Sequence, residues 1–226
     1  MAGKRTYGDP CGIARGLDLI GERWALLVIR ELVLGPKRFT DLRAGLLQVS
    51  ADVLAERLRD LELAGVVQRR TLPPPAASRI YELTAWGMEL EPVVLALGRW
   101  GSRAPFPRGD AQLSTDAFLL ALKTLFDPAP ENSATATAVE TRFELVIDGQ
   151  PYDVRIAGQG LDIVAGPATD PAATIRSDPR TLTDVLWHGR ALPDAQRSGA
   201  FTIEGDYEAA RSFLMLFPAP VPVGAA

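Results

Sequence analysis

The sequence predicts two domains: a mainly α unit closed by a β-hairpin over residues 1–104, and an α+β unit over residues 113–226, joined by a connector at 105–112. Three observations predict it. Apolar residues recur at helical spacing through the first half and alternate at period two through much of the second. The run WGSRAPFPRGDAQL, Trp100 to Leu113, carries two prolines, two glycines and no apolar periodicity, as a connector does. Charge also divides there: residues 1–103 hold 15 Lys/Arg against 12 Asp/Glu, net +3, and residues 104–226 hold 9 against 16, net −7. A slightly basic half suits duplex DNA better than an acidic one, so the halves are expected to have different partners.

In the first half Ile13, Leu17 and Ile20 mark a helix from Cys11 to Ile20, with Pro10 where a helix can begin. A second helix runs from Trp24 to Leu34 and is stopped by Gly35-Pro36. A short third spans Phe39 to Leu47. Ser50 is then a strong N-cap for a helix to Ala64, because its hydroxyl oxygen can accept from a free first-turn amide. On that helix Leu54, Leu58 and Leu61 share the inward face, while Asp52, Ala55, Glu56 and Arg59 lie opposite. VVQRRTL at 66–72 and SRIYEL at 78–83 are strands joined by the loop PPPAA. Thr84 caps one last helix through Trp86, Leu90, Val93, Val94, Leu97 and Trp100. Its apolar face is broader than so small a domain can cover, which points to a partner subunit.

Helices followed by a two-stranded wing make the winged helix-turn-helix arrangement, in which the last helix of the trio enters the major groove and wing and helix ends grip phosphate. The candidate DNA contacts are Lys37, Arg38, Thr40 and Arg43 around the third helix. Ser50, Asp52, Glu56, Arg57 and Arg59 follow on the recognition helix, and Arg69, Arg70 and Arg79 on the wing.

The segment from Cys11 to Gly101 resembles the HxlR family of bacterial winged-helix regulators. The resemblance is carried by the N-terminal Cys11, the Ile20-Gly21-x-x-Trp24 turn, Gly35-Pro36-x-Arg38-Phe39, Ser50-x-x-Val53-Leu54-x-x-Arg57-Leu58-x-x-Leu61, the Tyr81-x-Leu83-Thr84-x-x-Gly87 step and the closing Trp100-Gly101. It implies a homodimer built from the first helix and the helix 84–101 of each subunit, and a repressor or activator of nearby operons. It also implies that Cys11 is a candidate redox thiol, as in members that sense oxidants by bonding between subunits. Where that family usually has a basic residue this chain has Asp52, and with Glu56 it supplies carboxylates that can accept from cytosine N4.

In the second half LSTDAFLLALKTLF at 113–126 reads as an amphipathic helix capped by Ser114 or Thr115. A loop follows at 127–138. Three antiparallel strands come next, the first from Val139 to Ile147, turning at Asp148-Gly149. AATIR at 172–176 leads to a helix with Pro179 in its first turn. PDAQRSG is read as a connection, FTIEG as a strand, and the final helix runs from Asp206 to Phe217. These steps give an α+β domain with helices on one sheet face.

The runs ATIRSDPRTLTDVLWHGR and SGAFTIEGDYEAARSFLMLF are similar to the sterol carrier protein type two fold over roughly residues 113–217. That resemblance implies an apolar tunnel for a lipophilic effector. Its candidate lining is Phe118, Leu122, Phe143, Leu145, Leu186, Trp187, Phe213 and Phe217. The same residues equally suit a filled core used for assembly, and a lipid carrier is the reading of a different class.

One cysteine and one histidine, Cys11 and His188, exclude an intramolecular disulfide and zinc sites built on several such ligands. With no phosphate-cradling glycine loop either, no enzyme, metal or cofactor is expected. The first residues lack a secretory apolar core and no run approaches about 20 apolar residues, so the chain is expected in the cytoplasm without a membrane span.

Overall fold

The structure is a computed structural model that describes residues 6–46, 48–73, 77–104, 113–128 and 140–224. The chain divides into two compact units, Met1–Val94 and Leu95–Ala226. The predicted connector 105–112, the third helix's last residue Leu47, most of the 127–138 loop and the strand start at Val139 lie outside the described residues.

In the first unit the helices α1 (Gly12–Ile20), α2 (Ala25–Val33), α3 (Phe39–Gly45) and α4 (Ala51–Leu63) follow the order read from periodicity. Val28, Ile29 and Leu32 of α2 meet Leu42 of α3 and Leu54, Leu58 and Leu61 of α4 in a fully buried core. The wing is β2 (Val67–Thr71) and β3 (Arg79–Leu83), antiparallel with Val67 opposite Leu83.

A short strand that periodicity missed, β1 (Lys37–Arg38), pairs antiparallel with β3 and gives a three-stranded sheet in the order β1-β3-β2. Two residues are too few to show alternation.

The single helix expected after Thr84 is two: α5 (Ala85–Met88) and α6 (Glu91–Gly101). Pro92 is the cause, since it has no N–H to give the Met88 carbonyl and its ring crowds that turn. Glu89 and Leu90 donate instead to Trp86 and Gly87 in tight i+3 bonds.

The division between units falls inside α6. The Arg99 guanidinium in its last turn donates through Nε and Nη2 to the Thr124 carbonyl at 3.1 and 3.0 Å. Gly98 also lies so near Thr124 that a Cβ there would be 3.2 Å from the threonine side chain. The end of α6 is thereby part of the second unit.

The second unit holds α7 (Thr115–Leu125), β4 (Thr141–Ile147), β5 (Gln150–Ala157), β6 (Gly160–Ala165), β7 (Ala173–Ser177), α8 (Pro179–Trp187), α9 (Leu192–Arg197), β8 (Thr202–Gly205) and α10 (Tyr207–Leu214). The sheet order is β6-β5-β4-β7-β8. Asp148 and Gly149, at φ 51° and 80°, supply the two left-handed positions that a tight β4–β5 hairpin needs. β7 lies parallel to β4 and pairs antiparallel with β8; that arrangement could not be read from alternation, which is blind to the neighbour.

Phe143, Leu145, Ile147, Val154, Ile163 and Ile175 form the buried sheet face, which Phe213 of α10 covers. The other face carries ion pairs, Arg142 and Arg155 with Asp153 and Arg176 with Glu204. The segment PDAQRSG, read as a connection, holds most of α9. A six-residue helix with one buried residue, Ala195, shows no apolar stripe to a periodicity argument.

Candidate nucleic-acid interface

The α3-turn-α4 step is set by apolar anchors. Leu42, Leu46 and Val49 are buried, and the Leu46 amide donates to the Leu42 carbonyl and the Val49 amide to the Leu46 carbonyl. The Ser50 hydroxyl then accepts from the Val53 amide at 3.3 Å, capping α4 as the sequence predicts. With Leu54, Leu58 and Leu61 turned in, the outer face of α4 presents Asp52, Glu56 and Arg59 to solvent, and Ala55 half-buried between them. Arg59 bends back so that its Nε donates to the Ala55 carbonyl at 3.3 Å.

Arg57 departs from expectation. Its side chain is buried, its Nη1 donates to Asp60 Oδ2 at 2.8 Å, and Glu56 lies 3.9 Å away. The physical reason is positional: residue 57 is three after Leu54 and four before Leu61, which places it on the flank of the inward stripe. Arg57 is therefore a packing and ion-pair residue of α4. Arg57→Ala is expected to destabilise the first unit by about 1–2 kcal/mol, read by urea unfolding, since it removes a buried stem and leaves Asp60 without its partner.

Lys37 is also drawn inward. Its Nζ lies 3.8 Å from Glu31 Oε2, and the fully buried Glu31 carboxylate is held at its other oxygen by Arg30 Nη2 at 2.6 Å. A buried carboxylate needs such compensation. Gly45 makes room for it, because a Cβ there would stand 2.3 Å from Glu31 Oε2. Periodicity gave no signal for Glu31, which occupies an apolar position of α2.

Arg38, Thr40 and Arg43 are exposed around α3. The Asp41 carboxylate accepts from the Arg38 amide at 3.2 Å and from the Thr40 hydroxyl at 3.2 Å, which closes the helix start. On the wing Arg69 stands 3.9 Å from Glu62, and Arg79 is exposed opposite Thr71. Arg70 makes a two-pronged pair with Glu82 at 3.1 and 3.0 Å, and Gln68 donates to the same carboxylate at 2.8 Å. The Arg70 guanidinium, with help from Gln68, holds the Glu82 carboxyl below its ordinary range. Glu82 is thus ionised at neutral pH, and Arg70 must leave it to reach a phosphate.

Cys11 is exposed at the N-cap of α1. In the second unit Phe118, Leu122, Phe143, Leu145, Phe213 and Phe217 of the expected ligand lining are buried. The rings touch one another: Phe143 and Phe213 centroids are 4.5 Å apart, Phe213 and Phe217 5.0 Å, and Phe118 and Trp187 5.8 Å. Trp187 Nε1 donates to the Phe217 carbonyl at 3.2 Å. Leu186 instead lines an open cleft. His188 pairs with Asp184 at 3.1 Å. Among the described residues no group of three His, Cys, Asp or Glu is placed to hold a metal, and no helix is long and apolar enough to cross a membrane.

A family model for the HxlR-like helix-turn-helix matches residues 19–106. The HTH-type transcriptional regulator YvaP of Bacillus subtilis is 35% identical over 88 residues, 39% of this chain and 82% of its own. YodB of the same organism, also an HTH-type transcriptional regulator, is 38% identical over 86 residues, 38% of this chain and 77% of its own. The solved structure of the redox regulator HypR in its oxidised form shares 31% identity, with a TM-score of 0.41 over 43% of this chain and all of that chain.

Proposed function

Because the chain belongs to the HxlR-like helix-turn-helix family, we propose that it is a homodimeric, sequence-specific transcriptional regulator that places α4 in the DNA major groove. The observation that carries this reading is the outer face of α4: a capped helix with Asp52, Glu56 and Arg59 exposed on one side and a leucine stripe holding the other. Arg38 and Arg43 of the preceding turn and helix, and Arg69 and Arg79 of the wing, are exposed cations suited to phosphate. Thr40 and the capped start of α4 at Ser50 are suited to the backbone as well. Lys37, Arg57 and Arg70 are held in the ion pairs described above, and of the three Arg70 is the exposed one, which supports its exchanging Glu82 for phosphate.

Dimerisation is supported by large apolar side chains left in solvent. Ile13 and Leu17 of α1, Trp86 of α5, and Val93, Leu97 and Trp100 of α6 are all exposed, Ile13 and Trp100 each at 75%. A second subunit covering them by its own α1 and α6 removes that surface from water. For the second unit, the sheet order with β7 inserted parallel beside β4 and helices on one face supports a sterol-carrier-like fold that receives a lipophilic effector. Such an effector would shift DNA binding through its differential affinity for two states of the dimer.

The test is binding to duplex carrying the regulator's own upstream region against scrambled duplex, titrated with salt. The expected result is preference for the former and a steep fall of affinity with salt, each neutralised phosphate contributing about 0.9 to the logarithmic slope. Arg43→Ala is expected to weaken both duplexes alike and to reduce that slope by about 1. Asp52→Ala is expected to relax selectivity at one base pair with the slope unchanged. Equal affinity for every sequence in a randomised pool overturns the reading.

A further inference from the structure

In the second unit α8, the loop after it, the start of α9 and α10 enclose an open cleft of about 240 Å³. Its apolar surface comes from Leu186, Leu192, Leu214 and Met215, and two cations, Arg190 and Arg211, line it as well. Met215 lines the cleft and is 79% exposed, and its flexible, polarizable chain can adapt to an apolar occupant.

The two arginines are not equivalent. Arg211 already has a carboxylate, Glu208, at 3.5 Å. Arg190 is half-buried and spends one prong on the Ser198 hydroxyl at 2.9 Å, and no carboxylate of the described residues lies within ion-pair distance of it. Its position is fixed by the backbone, because the Arg190 amide donates to the Asp184 carbonyl at 2.9 Å while Gly189, at φ 77°, turns the chain out of α8. Arg197, by contrast, does not line this cleft and is paired with Asp194. A half-buried guanidinium that lines a cleft beside apolar side chains is suited to take a carboxylate from outside, with two parallel N–H donors on its two oxygens.

We propose that this cleft binds a small amphipathic organic anion, its carboxylate on Arg190 and its apolar body along Leu186, Leu192 and Leu214, with Met215 folding over it. The volume lies below the usual range for drug-sized ligands, so the occupant is a short acyl chain or a single ring. The inference deepens the effector reading above and rests on it for its regulatory meaning. It departs from that reading in place and in chemistry: the site is on the helical side of the unit, outside the aromatic core, and charge selects the ligand.

The test uses the full chain and two probes of equal length, octanoate and 1-octanol, below their aggregation limits, with affinities from calorimetry. Octanoate is expected to bind at least about tenfold more tightly, as one charge-assisted hydrogen-bonded pair supports. Arg190→Gln is expected to abolish that difference while leaving 1-octanol unchanged, Arg190→Lys to restore part of it, and Arg197→Gln to leave it intact. Equal affinities for the two probes, or an octanoate preference that survives Arg190→Gln, overturns the proposal. Gel-shift titration with octanoate separates the two claims: an Arg190-dependent site with no change in DNA binding keeps the cleft and rejects the effector reading.

Discussion

Phe213→Ala is expected to destabilise the second unit by about 3–5 kcal/mol, the cost of removing a buried ring whose cavity cannot collapse. Phe213 is the ring through which α10 closes the sheet: its centroid is 4.5 Å from Phe143 on β4 and 5.0 Å from Phe217, in an edge-on contact. Losing it removes two aromatic pairs as well as the buried area. Neither neighbour can shift freely, since Phe217 is tied through its carbonyl to Trp187 Nε1 and Phe143 sits in a strand paired on both sides. Region-resolved hydrogen exchange is the measurement that checks it. Protection is expected to fall through β4, β7 and α10, with that of α2 and α4 retained, because the leucine core of the first unit is complete within residues 1–94. A uniform loss across both units would show one cooperative body in place of two.

Gly87→Val is expected to damage the first unit by a comparable amount, about 3 kcal/mol or more, through overpacking against backbone. A Cβ at Gly87 would stand 2.1 Å from the Val66 carbonyl oxygen and 3.3 Å from Leu83 Cβ. The oxygen cannot be moved cheaply, because it also accepts from the Thr84 amide at 3.0 Å. The Thr84 hydroxyl meanwhile caps α5 by accepting from the Gly87 amide at 3.0 Å and donates to the Gly65 carbonyl at 2.7 Å. A side chain must therefore separate the root of the wing from α5. Thermal unfolding is expected to shift down by roughly 10 °C or more, and exchange in β2 and β3 to rise first. Unchanged exchange in β2 and β3 would show that the wing root tolerates the separation.

Much of the candidate interface is legible in the sequence. Ser50 caps α4 as its hydroxyl chemistry requires, and the 54-58-61 spacing oriented the whole helix, so that Asp52, Glu56 and Arg59 lie outside as read. The same spacing placed Arg57 on the flank of the inward stripe, and an expectation built on charge alone overrode it. Pro92 likewise carried a helix break that a broad apolar face concealed.

Lys37 and Arg70 show the limit of that reasoning. Whether a cation is available to phosphate depends on which carboxylate lies beside it, and Glu31 and Glu82 come to Lys37 and Arg70 from other elements. No local pattern encodes that distance. The second unit divides the same way: the hairpin at Asp148-Gly149 and the cap at Ser114 follow from residue chemistry. The parallel seating of β7 beside β4 does not.

The sequence by itself determined α1 to α4, the two long wing strands, the family of the first half and the faces the strands bury, because side-chain period and capping chemistry act over a few residues. The tertiary structure alone decided three further things: which arginines are paired, where along α6 the division between units falls, and that a cleft lined by Arg190 opens beside α8. Those depend on atoms brought together from distant parts of the chain, where burial and the partner at about 3 Å set whether a charge is spent inside the protein or left available to another molecule.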